Sequence, residues 1–243
     1  MTRVAFISDF SNIKAIFLDV GNTLLAPHPS VEHVCSSVLA KRGYTVDKAD
    51  LVEGLRLADE AYEERYWKDD SFWTKEVDTG EFWTRLYELM LRHVGLDGDA
   101  YDVGAEIYLE FGKGQAWRPF ADVIPAMERL AAGGYKMGII SNWDTRLSNL
   151  AVETGLSPFL DFVISSACVG MLKPQPGIFA LALGRAGVGA TQALHVGDHY
   201  YADVMGARGA GITPVLLDRK RATQQADCLL IRELGELASL LGA

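Results

Sequence analysis

Four polar groupings in this chain stand just after runs of apolar residues, where a buried strand would hand over to a loop. The first is the lone carboxylate of Asp19, which ends the apolar part of "AIFLDVGNTLL" at residues 15–25. Ser141 and Asn142 close "YKMGIIS" and its successor, Lys173 comes after "DFVISS" and the connecting "ACVGML", and Asp198 follows "ALHVG" with Asp203 five residues on. Each has a bland explanation. Ser141 and Asn142 can merely turn the chain, Lys173 can be a solvated surface lysine, and Asp198 can cap the next helix. Turn chemistry explains the whole set less well. Three carboxylates meeting in one crevice repel one another unless a cation sits among them. A hard oxygen site of this kind suits Mg²⁺, typically held by a few carboxylates together with waters and substrate phosphate oxygens. Lys173, the Ser141 hydroxyl and the Asn142 amide then supply donors for an anionic group set against the metal.

The elements that must bring these residues together are legible from periodicity. From residue 119 onward, short apolar runs alternate with helical patterns, the signature of repeated βα units and a parallel sheet. The runs are "YKMGIIS", "DFVISS", "ALHVG", "TPVLLD" and a weaker "DCLLI", and the opening strand at Ile13 to Leu18 resembles them. In an open parallel sheet, ligands bind beyond the carboxyl ends of the strands, which is where the polar residues fall. Asp122 and Asp144 are placed to cap the helices that follow them, Pro176 suits a first helical turn, and each of these helices finishes at a glycine. Residues 29–115 differ from both flanks, with apolar positions spaced by three and four throughout. The expectation is an α/β protein, a doubly wound parallel sheet formed by residues 1–28 and 116–243, with an α-helical domain inserted at 29–115 on linkers near 26–29 and 115–119. Eight aromatics crowd the middle of the insert: Tyr62, Tyr66, Trp67, Phe72, Trp73, Phe82, Trp83 and Tyr87. Their spacing makes them mostly core, with one or two available to line a pocket.

The 243 residues, 49% of them hydrophobic, suffice for one large domain or a domain with an insertion. A net charge of −9 argues against nucleic acid or an anionic membrane as partner and for a small-molecule substrate. Cys35, Cys168 and Cys228 show neither metal-ligand spacing nor a disulfide framework, and no apolar run approaches the roughly 20 residues that span a bilayer. The start "MTRVAFISDFSN" has no long apolar stretch before a cleavage site, and its Asp9 is followed by no turn or helix signal, so this stretch reads as an extension. A cytoplasmic protein, monomer or homodimer, is expected.

"DVGNT", "SN" at 141 and 142, "KPQPGIF" and "GDHYYAD", in this order and on successive strands, resemble the four motifs of the haloacid dehalogenase-like hydrolases. The likeness covers nearly the whole chain, because a helical insert directly after the first motif is similar to the cap of that superfamily's first subfamily; its flavour is that of the group around HAD domain-containing protein three. The resemblance implies a Rossmann-like core and a set of roles. Asp19 is the nucleophile that forms an aspartyl intermediate. Thr23, with either Ser141 or Asn142, helps hold the transferring group, and Lys173 steadies the charge on Asp19 and the substrate. Asp19, Asp198, Asp203 and the backbone carbonyl of Gly21 bind Mg²⁺. Asn22, Trp143, His28 and His199 are candidate substrate contacts, and Trp143 could equally pack beneath the insert.

One position departs from the pattern. Phosphatases of this superfamily usually carry a second aspartate two residues after the nucleophile, which protonates the leaving oxygen; here that residue is Gly21. Three readings follow: a Mg²⁺-dependent phosphatase whose acid is replaced or missing, a metal-independent 2-haloacid dehalogenase, which needs no acid because halide leaves unprotonated, or a weakly active ligand-binding protein. "GDHYYAD" keeps both carboxylates, whereas dehalogenases replace the first acidic position of this motif, and the arginines nearest to the dehalogenase pattern, Arg42 and Arg56, do not fall in place. His28 and His199 flank the motifs and could stand in for the acid, since imidazole titrates near neutrality, whereas His33, His93 and His195 show no partner pattern.

Overall fold

The computed structural model describes residues 10–243, so Asp9 and its expected extension lie outside the described residues. The chain enters strand β1 at Ala15–Leu18, turns, and forms the short β2 at Leu25–Pro27. Four helices follow: α1 (Val31–Lys41), α2 (Lys48–Lys68), α3 (Glu76–His93) and α4 (Ala100–Glu110). Strand β3 (Trp117–Pro119) then runs antiparallel to β2, joining Ala26 to Arg118. The two stretches read as linkers are therefore a two-stranded ribbon. Periodicity could not find it, because three-residue strands are too short to show alternation.

Beyond the ribbon come α5 (Val123–Ala132), β4 (Lys136–Ser141), α6 (Leu147–Glu153), β5 (Phe162–Ser165), the one-turn α7 (Ser166–Val169), α8 (Pro176–Ala186) and β6 (Ala193–Gly197). A π-helical turn at Tyr200–Met205 leads through α9 (Gly206–Gly209) to β7 (Thr213–Leu217), β8 (Leu229–Ile231) and α10 (Leu234–Leu240). Six strands pair in the order β5-β4-β1-β6-β7-β8, every pair parallel. Strand β1 is central and all four of its residues are fully buried. Alternate side chains serve opposite faces: Ile16 and Leu18 pack with Val123, Met127, Leu147 and Leu237, whereas Ala15 and Phe17 pack with Ile178, Phe179 and Ala182. Helices thus cover both faces of the sheet, the doubly wound arrangement the sequence predicts. Leu18 stands level with Ile139 and Val196, which puts Asp19, Ser141 and Asp198 at one edge.

The helices between β2 and β3 keep a core of their own, in which Val34, Val38, Leu51, Leu86, Met90, Val103 and Ile107 are buried together. Helix ends match the sequence in part. Pro176 opens α8, and α8 closes on Gly187 with φ +66°. Asp122 stands at the cap position of α5, but its carboxylate accepts from Leu234 N and pairs with Arg219 instead of capping the helix. Asp144 accepts from Arg146 N and so closes the turn ahead of α6, which begins at Leu147.

Candidate active site

Asp19 takes its position from β1, whose ladder continues through the bond from its own N–H to Val196 O at 2.9 Å. Its Oδ1 accepts from Ser141 Oγ at 2.9 Å and from Lys173 Nζ at 2.6 Å. Lys173 reaches that carboxylate from the loop before α8, where Asn142 grips it: Asn142 Nδ2 donates to Lys173 O at 3.0 Å and Lys173 N donates to Asn142 Oδ1 at 2.8 Å. Both ends of the Asn142 amide are thus engaged with the backbone of Lys173. Of the pair left open by the sequence, the Ser141 hydroxyl is the one on Asp19.

Nζ of Lys173 also pairs with Asp203 Oδ1 at 2.5 Å, and only 2% of Lys173 is exposed. Burial disfavours the charged ammonium, but the charges and hydrogen bonds of Asp19 and Asp203 outweigh it and raise its pKa, so the lysine stays protonated. Asp203 receives two more donors, His199 N at 3.0 Å and His195 Nε2 at 2.8 Å. Burial works against its ionisation, yet Lys173 and the His195 hydrogen bond hold the carboxyl well below the usual range. Gly197 makes the approach possible: a Cβ there would lie 2.1 Å from Asp203 Cγ.

Asp198 gives up its proton less readily than an ordinary aspartate. Burial, reinforced by the negative charges of Asp19 and Asp203, pushes its carboxyl up to about 7. The three carboxylates offer oxygens that all lie within 4.8 Å of one another, and one lysine shared by two of them leaves the third short of positive charge. A hard, all-oxygen donor set with a surplus of negative charge fits Mg²⁺.

The turn after Asp19 resolves what the glycine does. Gly21 does not lie in the left-handed region; Asn22 does, at φ +52°, where asparagine is among the better tolerated residues. A Cβ on Gly21 would meet only Trp143 Cζ3, at 3.5 Å. The Gly21 carbonyl accepts from Thr23 N at 2.6 Å. Thr23 itself is fully buried, its Oγ1 has no hydrogen-bond partner, and it does not line the cavity.

A cavity of about 620 Å³ opens over these groups. Asp19, Gly21, Asn22, Ser141, Asn142, Trp143, Lys173, Asp198, His199 and Asp203 all line it; His28 does not, its N–H being bound to Ala116 O at 2.7 Å beside the ribbon. His199 accepts from Ala202 N through Nδ1 at 3.1 Å, which caps the π-helical turn. Most of the rest of the cavity wall comes from the segment between the ribbon strands, with Pro27, Trp117, Asp144, Arg146, Ala202 and Lys220 completing it. Tyr62, Tyr66, Trp73, Trp83 and Tyr87 line it, so the crowded aromatics are wall as well as core, while Trp67 is 61% exposed. Arg42 and Arg56 are on the outside, paired with Glu106 and Glu53, and neither lines the cavity.

Two sets of residues carry no sequence signal for the positions they take. His195 sits fully buried on β6 behind Asp203, with burial lowering its pKa and the Asp203 hydrogen bond only partly opposing this. A polar seam ties the helices to the sheet: Glu76 accepts from Thr145 N and Oγ1, each at 2.7 Å, Tyr108 Oη donates to Asp144 at 3.2 Å, and Arg146 donates to Tyr108 O at 2.9 Å. Each such pairing joins residues more than 30 positions apart, beyond the reach of any local pattern.

A family model for haloacid dehalogenase-like hydrolases matches residues 13–211. Haloacid dehalogenase-like hydrolase domain-containing protein 3 of Danio rerio is 29% identical over 211 residues, 86% of this chain and 86% of the relative. Glyceraldehyde 3-phosphate phosphatase of Methanopyrus kandleri is 30% identical over 209 residues, covering 85% of this chain and 84% of the relative. Among solved structures, a 2-haloacid dehalogenase from Pseudomonas syringae pv. Tomato DC3000 superposes with a TM-score of 0.64 at 26% identity, over 95% of this chain and 98% of that one.

Proposed function

Because the chain belongs to the haloacid dehalogenase-like hydrolases and is therefore a hydrolase, we propose that it is a Mg²⁺-dependent phosphatase acting on small phosphate esters through a phosphorylated Asp19. The observation that carries this is the acidic trio of Asp19, Asp198 and Asp203 with Lys173 buried in its midst. A similar chain that bears a phosphatase name supports it. Asp19, Asp198, Asp203 and the Gly21 carbonyl would hold the metal, which supplies positive charge against the phosphoryl oxygens.

The chain's own groups do the rest. Ser141 and Lys173 occupy Oδ1 of Asp19, which leaves Oδ2 to attack phosphorus. The P–O bond to the leaving group breaks as the Asp19 O–P bond forms, and the leaving oxygen departs with the electron pair. Water then attacks the phosphorus of the aspartyl phosphate; the Asp19 O–P bond breaks with its electron pair returning to the carboxylate, the proton lost by the water balances the one taken up by the departed leaving oxygen through solvent, and inorganic phosphate is released. Lys173 stays charged throughout and stabilises the negative charge that builds up. The helices between β2 and β3, residues 29–115 in this reading, serve as a cap that closes the site from water and selects the leaving group. A cytoplasmic location fits the proposal, and no helix among the described residues is long and apolar enough to cross a membrane.

Gly21 and the likeness to a 2-haloacid dehalogenase favour a second reading, halide displacement by Asp19. Against it stand both retained carboxylates, Asp198 and Asp203, and the absence of Arg42 and Arg56 from the cavity. Assays of phosphate monoesters and 2-chloropropionate, each with Mg²⁺ and with EDTA, decide between them. Phosphate release that needs Mg²⁺ and vanishes in Asp19→Asn is expected; chloride release that persists in EDTA would establish the dehalogenase instead.

A further inference from the structure

Resting on the phosphatase reading, we infer that the site takes phosphate monoesters whose leaving group carries an apolar ring, in preference to short polyhydroxylated esters. The reacting groups line a cavity of about 620 Å³, far more than a phosphate and a few carbons fill. The wall facing them is built from Tyr62, Trp73, Trp83, Tyr87, Trp117 and Trp143. These rings support one another: Tyr62 stacks on Trp83 with centroids 5.6 Å apart, and Trp117 meets Trp143 edge-on at 5.0 Å. Trp143 also stands over Gly21, its Cζ3 3.5 Å from where a Cβ would be. An indole therefore replaces a carboxylic acid at the side of the motif from which the leaving group would otherwise be protonated.

Several of the wall's polar groups are spent or near solvent, while the buried Tyr66 Oη and Arg146 Nε have no hydrogen-bond partner. The Asn142 amide is bound to Lys173, and Asp144 is bound to Arg146 N and Tyr108 Oη. Asp59, Glu63 and Lys220 line the cavity from exposed positions. An apolar ring placed against these rings gains from leaving water and from stacking, whereas each hydroxyl of a sugar placed there loses water and must find a partner of its own. The missing acid points the same way, because a phenolate departs without the proton an alkoxide needs.

The test holds leaving-group basicity nearly constant so that pocket recognition is read alone. With Mg²⁺, kcat/KM is measured for 2-phenylethyl phosphate, ethyl phosphate and glycerol 3-phosphate, all alkoxide esters. The ring ester should lead by about ten- to a hundredfold, the gain from burying one aromatic side group. Leu55→Trp, which puts an indole into the cavity from α2, should reduce that lead at least severalfold. Turnover of all three esters within a factor of about three, or a lead for glycerol 3-phosphate, overturns the inference while leaving the phosphatase reading intact. Turnover of none of them, nor of phenyl phosphate, defeats the phosphatase reading. Titration with 2-phenylethylphosphonate against ethylphosphonate, followed by tryptophan fluorescence, then still decides the pocket's preference: equal affinities overturn it.

Discussion

Gly21→Asp restores the carboxylate that phosphatases of this family usually carry, and the structure says what it would meet. The backbone at Gly21 is outside the left-handed region, so a side chain there carries none of the roughly 1–2 kcal/mol strain such a conformation imposes. The new Cβ lies in ordinary contact with Trp143 Cζ3 at 3.5 Å. The indole takes one side of it and limits where the carboxyl can go. General acid catalysis is typically worth about 10² to 10⁴ in rate when fully placed. With Trp143 restricting the carboxyl, a gain of about tenfold to a hundredfold in kcat is expected for an alkyl phosphate, and little change for an aryl or acyl phosphate, whose leaving group needs no proton. The added charge has a cost. At about 6 Å from another carboxylate and an effective dielectric constant of about 20, the repulsion is about 3 kcal/mol, and three acids already crowd within 4.8 Å. The variant should therefore melt below wild type in EDTA and recover much of the loss in Mg²⁺. Rates on a leaving-group series for wild type, Gly21→Asp and Gly21→Asn check the reasoning. Equal gains for Asp and Asn, or a fall in alkyl and aryl turnover together, would refute it, since neither result needs a proton donor.

Two further expectations follow from the positions of side chains. His28→Ala should leave turnover unchanged because His28 is not on the cavity, whereas His199→Ala removes the acceptor for Ala202 N and loosens the turn that donates to Asp203; steady-state kcat for the pair checks this, and equal effects would refute it. Burial opposes ionisation of Asp218, but hydrogen bonds from Thr223 N and Ala222 N and the pairing with Arg232 outweigh it and hold its carboxyl at about 2. Its native pKa is below the unfolded value of about 3.9, so its contribution is present above pH 4 and is lost as pH falls from about 4 towards 2. Thermal melts across that range should be flatter for Asp218→Asn than for wild type.

The amino-acid sequence by itself determined the alternation of sheet strands and helices, though not the short ribbon of β2 and β3, and the chemistry at strand ends. A strand buried on both faces must be a short apolar run, so Asp19, Ser141 and Asp198 stand out as the first polar residues after such runs. Lys173 was legible through its place in the chain, after a strand and ahead of the helix that Pro176 opens. The helical insert showed itself through spacings of three and four. What only the tertiary structure decided is which atoms meet across long separations. Asp203 finds His195 because the π-helical turn folds it back over Gly197, and Asn142 clamps Lys173 although 31 residues separate them. In the turn after Asp19 the left-handed residue is Asn22, because the hydrogen bonds that close this turn set the conformation, and residue type alone does not. Asp122 was drawn from its helix by Arg219, 97 positions away, and the aromatics of α2 and α3 became a cavity wall because the helices pack over the sheet edge. Local propensity and periodicity act over a few residues of chain, whereas contacts of this kind exist only once the sheet register and the placement of the insert have brought distant segments within hydrogen-bonding distance.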